Sequence, residues 1–519
     1  MSRRVLAAGA IWSVSILLSR LVGLVREAAL GRTLGVGGEA DLYQAAFTVP
    51  DLVNYLLAGG ALAVVLVPLQ AARLAGGDER AAWRSIGTIA NAVGAALLAL
   101  GALAWVSMPA LTRLAAPGFD AGQQAELAAL SRIVLPAQFF HVVGAVFSAA
   151  LLARDRHAIA ALAPVVYNIV IVACGLASGT AEGFAWGVLL GAFLGPFLLP
   201  LVASVKLGFR FAPRLEHDEP DLRAWLVRSL PIMAGFSIVV ADDWFLRAQG
   251  SIAGEGAAAT LGYAKALLRV PVGVFGMAAG LAAYPLLARL AAEGRTSELR
   301  AALSRALRGV VLLALAAQAV LVAAGVDLAA LVYGRTRLAP SEVAGVAEAL
   351  ALCALGLAAW AAQPLLARGF YALGNTWAPA LLGTAVALLA WPVYGLARER
   401  FGVLGLATTS AVAIGSHALV LHAALALRLR RAGAARPAGL WPFAARALTA
   451  FIVSLAVGIT LSRAIPEAAT TWEAALRATA IGSASLVVFA ATGAAVGLAE
   501  IRAAGAPLWR RLRGAPASD

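Results

Sequence analysis

The sequence predicts an all-α polytopic membrane protein of about fourteen transmembrane helices. Three observations carry this expectation. Of 519 residues, 61% are hydrophobic and only 13% charged, and the mean hydropathy is +0.85. An ordinary soluble domain holds roughly 45–50% apolar and about 25% charged residues. Polar breaks then cut the chain into apolar runs, each near or above the about 20 residues that a spanning helix needs. Finally, arginines gather in every second loop, as cytoplasmic loops require. Together these exclude a cytosolic enzyme, a nucleic-acid-binding domain and a secreted disulfide scaffold. Cys174 and Cys353 lie in apolar runs and read as small core residues.

In order, the spans are expected over 5–33, 38–70, 84–112, 123–152, 158–179, 183–205, 222–249, 256–288, 301–333, 341–367, 376–397, 402–427, 441–463 and 472–499. The opening, Met1-Ser-Arg-Arg before an apolar run, imitates a secretory signal. The run continues through Arg20 and Arg26 without a convincing cleavage site, so it reads as a retained first span. Several runs exceed the minimum and should tilt or kink. Pro50, Pro136, Pro164, Pro231, Pro271 and Pro364 supply kinks inside them.

The net charge is +14, from 41 basic and 27 acidic residues. Lys206 and Lys265 are the only lysines. Arg3 and Arg4 precede the first span, and Arg73, Arg80 and Arg84 follow the second. Arg154 and Arg156 follow the fourth, and Lys206, Arg210 and Arg214 the sixth. Arg289 and Arg295 follow the eighth, Arg368 the tenth, Arg428, Arg430 and Arg431 the twelfth. The intervening loops hold fewer, among them Arg32, Arg113, Arg335, Arg337, Arg398 and Arg400. An even span number with both termini cytoplasmic follows, as expected of a multi-pass membrane protein.

A short internal repeat organises these spans. Val49-Pro50, Val67-Pro68-Leu69 and Ala72-Arg73-Leu74-Ala75 match Val270-Pro271, Tyr284-Pro285-Leu286 and Ala288-Arg289-Leu290-Ala291. One copy falls in the second span and the other in the eighth. A separation of six spans gives parallel halves, a common transporter plan. The expected division is 1–215 (spans one to six), 216–432 (seven to twelve) and 433–519 (the last two spans and a cytoplasmic tail), with 206–223 as linker.

Ionisable residues inside spans are costly and mark pathways or partners. They concentrate on the first two spans of each half: Arg20, Arg26 and Glu27; Asp41, Asp51 and the amide Asn54; Asp242, Asp243 and Arg247; Lys265 and Arg269. Snorkelling to headgroups explains end residues such as Asp41 as well as function does. For Arg26, Asp242 and Asp243, deeper in their spans, function is the better reading. A basic cavity attracts an anionic substrate, and arginine's planar fork suits phosphate. Asp242 and Asp243 are candidates for coupling to Na⁺ or protons, although a link from Asp243 to Arg247 at i,i+4 is expected first. His141 and His417 sit in spans and read as packing residues. No nucleotide-binding loop or catalytic dyad is present, so neither an enzyme nor a cofactor is expected. The work must come from a Na⁺ gradient or the membrane potential.

Ser19-Arg20-Leu21-Val22-Gly23-Leu24-Val25-Arg26-Glu27 resembles the first-helix signature of the MurJ/MviN lipid II flippases. So do Ala40-Asp41, Val49-Pro50-Asp51-Leu52, Ala116-Pro117-Gly118-Phe119, Val270-Pro271-Val272-Gly273-Val274-Phe275-Gly276 and Gly369-Phe370-Tyr371-Ala372-Leu373-Gly374-Asn375. The resemblance implies a fold of the MOP exporter superfamily. Two six-helix lobes form a V around a central cationic cavity, and the last two helices border a groove for a lipid tail. It implies transport of lipid II, an undecaprenyl-diphosphate glycolipid, for cell-wall synthesis, alongside the cell-wall machinery and membrane lipids as partners. Arg20, Arg26 and Asp41 fall on family functional positions, and Asn54, Lys265 and Arg269 join them as substrate-binding candidates. Asn54 and Lys265 depart from the family's residue types. Another undecaprenyl-diphosphate glycan or a MATE-like exporter is the alternative; like-charge repulsion from the arginines disfavours cationic cargo.

Overall fold

The structure, a computed structural model, describes residues 3–57, 61–213, 216, 218–234, 237–434 and 440–503. Gly59 and Gly60, His217 in the linker, Arg214 and the tail arginines Arg510, Arg511 and Arg513 lie outside them. Helices make up nearly all of the described chain.

Eight described helices are long and apolar enough to cross a bilayer, or nine when Pro340–Ala354 and Leu357–Ala372, bent by 44°, count as one span. Length and composition alone thus pick out eight or nine of the about fourteen expected spans among the described residues. The reasons are local. The second expected span breaks at 46–47, between Gly38–Ala45 and Thr48–Leu57. In the seventh, Ser237 is extended and its hydroxyl accepts from the Val239 N–H, so that Ile238–Ala253 starts as a new helix. The eleventh and twelfth form one 55-residue element, Trp377–Arg431, that turns at Gly402. Gly402 holds φ 56° and ψ −136°, a region open to glycine because it lacks a Cβ.

The repeat has a structural counterpart. Ala61–Ala75 and Ala278–Ala292 are both 15 residues long, with Pro68 and Pro285 at the same register. A π-helical stretch, Val272–Met277, directly follows Pro271, and another, Phe193–Leu198, contains Pro196. Proline cannot donate its backbone bond, and a local π turn re-satisfies the freed carbonyls inside a membrane.

By compactness the chain divides into two units. The first comprises Met1–Ala266, Thr336–Leu338 and Thr376–Thr409; the second comprises Leu267–Arg335, Ala339–Asn375 and Ser410–Asp519. In the first, Trp83, Ile86, Met108, Phe147 and Trp225 anchor a buried core. Gly144 lets Ala137–Leu152 press against the π stretch: a Cβ there would lie 2.0 Å from the Pro196 carbonyl oxygen. In the second, Leu312, Ala319, Phe443, Phe451 and Phe489 join Thr296–Ala323 to the last two helices, Leu440–Ala464 and Thr471–Ala495. Arg477 secures that junction, lying 3.4 Å from buried Asp327 and donating to the Ser462 carbonyl at 2.7 Å. Large apolar side chains such as Val106, Leu114 and Leu389 are exposed, as lipid-facing positions are.

Candidate transport site

The first helix, Arg3–Leu34, carries Arg20 and Arg26. Arg26 reaches Glu27 at 2.6 Å and Asn168 at 3.2 Å, and 26% of its side chain is exposed. Its Nε is buried without a hydrogen-bond partner. One donor of the guanidinium is thus uncommitted, on a group whose charge is partly met by Glu27. Arg20 is half-buried on the same helix. Asn168 sits in the apolar helix His157–Ser178 and donates to its own Pro164 carbonyl at 2.8 Å. Charge placement does not point to this amide; a lone Asn in an otherwise apolar span is the signal that the sequence carries.

Asp41 is 1% exposed and its carboxylate is fully engaged. Its two oxygens accept from the backbone N–H groups of Gly256 at 2.6 Å and Ala259 at 2.7 Å. It thereby caps Ala257–Pro271 from another helix, where a carboxylate also meets the positive end of the helix dipole. Glu255 accepts from the Gly38 N–H at 3.0 Å beside it, and the Tyr263 hydroxyl donates to the Gly35 carbonyl at 2.9 Å. Asn54 donates to Gln138 at 2.7 Å.

Asp242, Lys265 and Tyr394 form a buried cluster. Asp242 is 1% and Lys265 4% exposed. The Lys265 ammonium lies 2.5 Å from Asp242 and 3.7 Å from Asp243, and the Tyr394 hydroxyl donates to the second Asp242 oxygen. Tyr394 was not singled out in the sequence; a phenol between Pro392 and Gly395 in an apolar span was its only trace. The expected Asp243–Arg247 link gives way to a different pairing, with Arg247 reaching Asp51 at 3.0 Å. Tertiary packing brings Thr48–Leu57 beside Ile238–Ala253, which helical spacing cannot anticipate.

Of the eight candidates, seven therefore belong to the first unit: Arg20, Arg26, Asp41, Asn54, Asp242, Asp243 and Lys265. Arg269 belongs to the second and is exposed. A further group, Arg73 with Glu219 and Asp221, ties Pro220–Ala234 to Ala61–Ala75. Arg73 meets Asp221 at 2.7 Å, and Ser85 donates to the same carboxylate at 2.8 Å. The hydrogen bond to Asp221 holds the Arg73 guanidinium above its ordinary pKa.

A multi-pass helical bundle with repeated, proline-broken spans and engaged intramembrane charges defines a membrane transporter. The family model described as lipid II flippase MurJ matches residues 30–474. The chain belongs to that family. A probable lipid II flippase MurJ of Rhizobium meliloti is 28% identical over 430 residues, covering 79% of this chain and 78% of the relative. The lipid II flippase MurJ of Burkholderia cenocepacia is 26% identical over 437 residues, covering 82% and 84%. Among solved structures, a lipid II flippase MurJ in an inward closed conformation superposes with a TM-score of 0.72 at 17% identity, covering 92% of this chain and 98% of that one. An inward-facing MATE transporter of the MOP superfamily gives 0.64 at 17% identity, covering 82% and 99%. These superpositions establish the MOP transporter fold.

Proposed function

We propose that this protein is a flippase that carries lipid II from the inner to the outer leaflet by alternating access, for peptidoglycan synthesis. The observation that carries the proposal is the match of residues 30–474 to the lipid II flippase model. Arg26 supports it, since about a quarter of its side chain stays exposed on a guanidinium of the kind that grips phosphate. Arg20, Asn54 and Arg269 assist substrate binding in this reading, whereas Lys265, first expected among them, is committed to Asp242 and Asp243. Asp41 acts through the helix it caps. The protein is a transporter and not an enzyme, with both termini in the cytoplasm and the lobes divided at 215/216 and 432/433.

The membrane potential drives the cycle in this proposal. The Lys265 ammonium already meets the helical acids Asp242 and Asp243, so a tethered cation occupies the place that a coupling Na⁺ would seek. The test of function is rescue: expression in cells depleted of their own lipid II flippase should restore growth and outer-leaflet lipid II. Stable membrane accumulation without rescue would refute the substrate.

A further inference from the structure

The internal repeat also joins the ends of the fourth and tenth expected spans. Leu151-Leu152-Ala153-Arg154 in the first half matches Leu365-Leu366-Ala367-Arg368 in the second. Arg154 is answered by an acid and a ring. It meets Glu79 at 2.9 Å, donates to the Ala150 carbonyl at 3.0 Å and lies 3.7 Å from the centre of the Trp83 ring. Arg368, at the matching place, has no ion pair or hydrogen bond among the described residues.

Arg368 stands near the end of Leu357–Ala372, which packs along Ala278–Ala292 and the π stretch Val272–Met277 within the second unit. Two glycines four residues apart shape this seam. At Gly276 the helices touch, since a Cβ there would lie 3.0 Å from the Ala361 Cα. A turn further on, a Cβ at Gly280 would lie 1.7 Å from the Arg368 Nη1. Gly280 therefore leaves the space that the guanidinium fills. Tyr284 lies one more turn along the same face, and Tyr371 three residues beyond Arg368. Both phenols are close enough to the guanidinium to act on it electrostatically, and on each other.

The chemistry of this seam is one-sided. The Arg368 Nη1 is buried and bonded to nothing among the described residues, while the side chain as a whole is only half-buried and so remains reachable. A partly buried charge without a counter-charge is destabilising until an anion completes it. The two phenols add O–H donors and, with ordinary pKa values near 10, no negative charge at neutral pH. A planar fork of donors flanked by two hydroxyls suits a phosphate, which arginine takes in two parallel bonds. A cation would meet only repulsion there.

We propose that Arg368, flanked by Tyr284 and Tyr371, is a phosphate subsite of the second unit and holds the diphosphate of the cargo lipid. The side chains select phosphate; that the phosphate is the cargo's rests on the flippase reading above. Gly280 is the positioning residue, because its missing Cβ keeps the guanidinium in the seam. Loop charge accounts for Arg368 only as one more cation after the tenth span. Its lack of an answering acid, against the paired Arg154 of the first half, marks it for binding.

Native mass spectrometry of the full-length, delipidated protein tests this. Undecaprenyl diphosphate, undecaprenol and phosphatidylglycerol are each offered at the same concentration. The wild type should prefer the diphosphate to undecaprenol. Arg368→Gln should lower that preference about tenfold, the loss that goes with one charge-assisted hydrogen bond, with undecaprenol held as before. Gly280→Ala keeps the charge and suits a helix, and it should lower the preference too, by pushing the guanidinium out of its place. This second variant decides the matter even if Arg368→Gln fails to fold. An unchanged preference in both variants would overturn the proposal and leave the flippase reading standing. An equal loss of phosphatidylglycerol in the two variants would also overturn it, because the site would then take any lipid phosphate. A wild type that holds the diphosphate no better than undecaprenol would refute the flippase reading and this subsite with it.

Discussion

Arg26 and Lys265 are both cations inside the membrane, yet their surroundings set different tasks. Lys265 is enclosed by Asp242 and Asp243. Lys265→Met would leave Asp242 charged, buried and short of its partner, a loss of about 3–5 kcal/mol for such pairs. A marked fall in melting temperature is expected, with most of it recovered in Lys265→Met/Asp242→Asn. A double variant no more stable than the single one would mean that the pair is not what holds these helices. Arg26 retains an uncommitted Nε. Arg26→Ala should lower transport at least tenfold, in keeping with the ~1.5–3 kcal/mol of a charge-assisted hydrogen bond. Arg26→Lys should recover only part, because a point charge cannot reproduce a two-pronged contact. Transport assays normalised to protein in the membrane decide this, and full activity in Arg26→Ala would make the residue structural. That Arg26 and Asp242 matter was legible from charge depth in the spans. Which groups answer them, Asn168 and Tyr394 included, was not, because those partners lie 142 and 152 residues away.

At the scale of elements, Asp41 decides how Ala257–Pro271 begins. Its two oxygens take two N–H groups that would otherwise be orphaned in a buried place. Asp41→Ala should cost about 2 kcal/mol, the upper range for a lost cap. Amide exchange of Gly256 and Ala259 should accelerate, while Asp41→Asn, which keeps one acceptor, should lie between. Unchanged exchange in Asp41→Ala would show that the cap is incidental. The proline-marked repeat was legible as a motif, and the equal lengths of Ala61–Ala75 and Ala278–Ala292 give it a physical form. The breaks that divide the second and seventh spans were not legible. Apolar composition continues across them, so periodicity alone reads through a break in the helix.

For the whole molecule, the arginine pattern predicts which loops lie inside. Single cysteines at 76–82 and 429–436 should resist labelling by impermeant reagents from outside, and those at 114–122 and 179–182 should react. Outside labelling of 429–436 would break the fourteen-span topology. Energy coupling is also a property of the whole. A unit charge crossing 100 mV is worth about 2.3 kcal/mol, and an anionic diphosphate moving outward is driven by an inside-negative potential. In proteoliposomes, collapse of the potential should stall flipping even when the Na⁺ gradient is held. Flipping that follows Na⁺ alone, and is lost in Asp243→Asn, would reverse this assignment.

Composition, span length and loop charge by themselves determined that this chain is a helical membrane protein, and short motifs placed it beside the lipid II flippases. Those properties are local: each span must bury its backbone and present apolar side chains whatever its neighbours do. Only the tertiary structure decided that Asp41 caps a distant helix, that Arg247 answers Asp51 and not Asp243, and that Lys265 closes onto the acids of another helix. Each of these pairings satisfies a buried polar group through a residue far away in sequence. In a low dielectric the cost of an unmet charge is set by which helices pack together, and one-dimensional spacing does not record that.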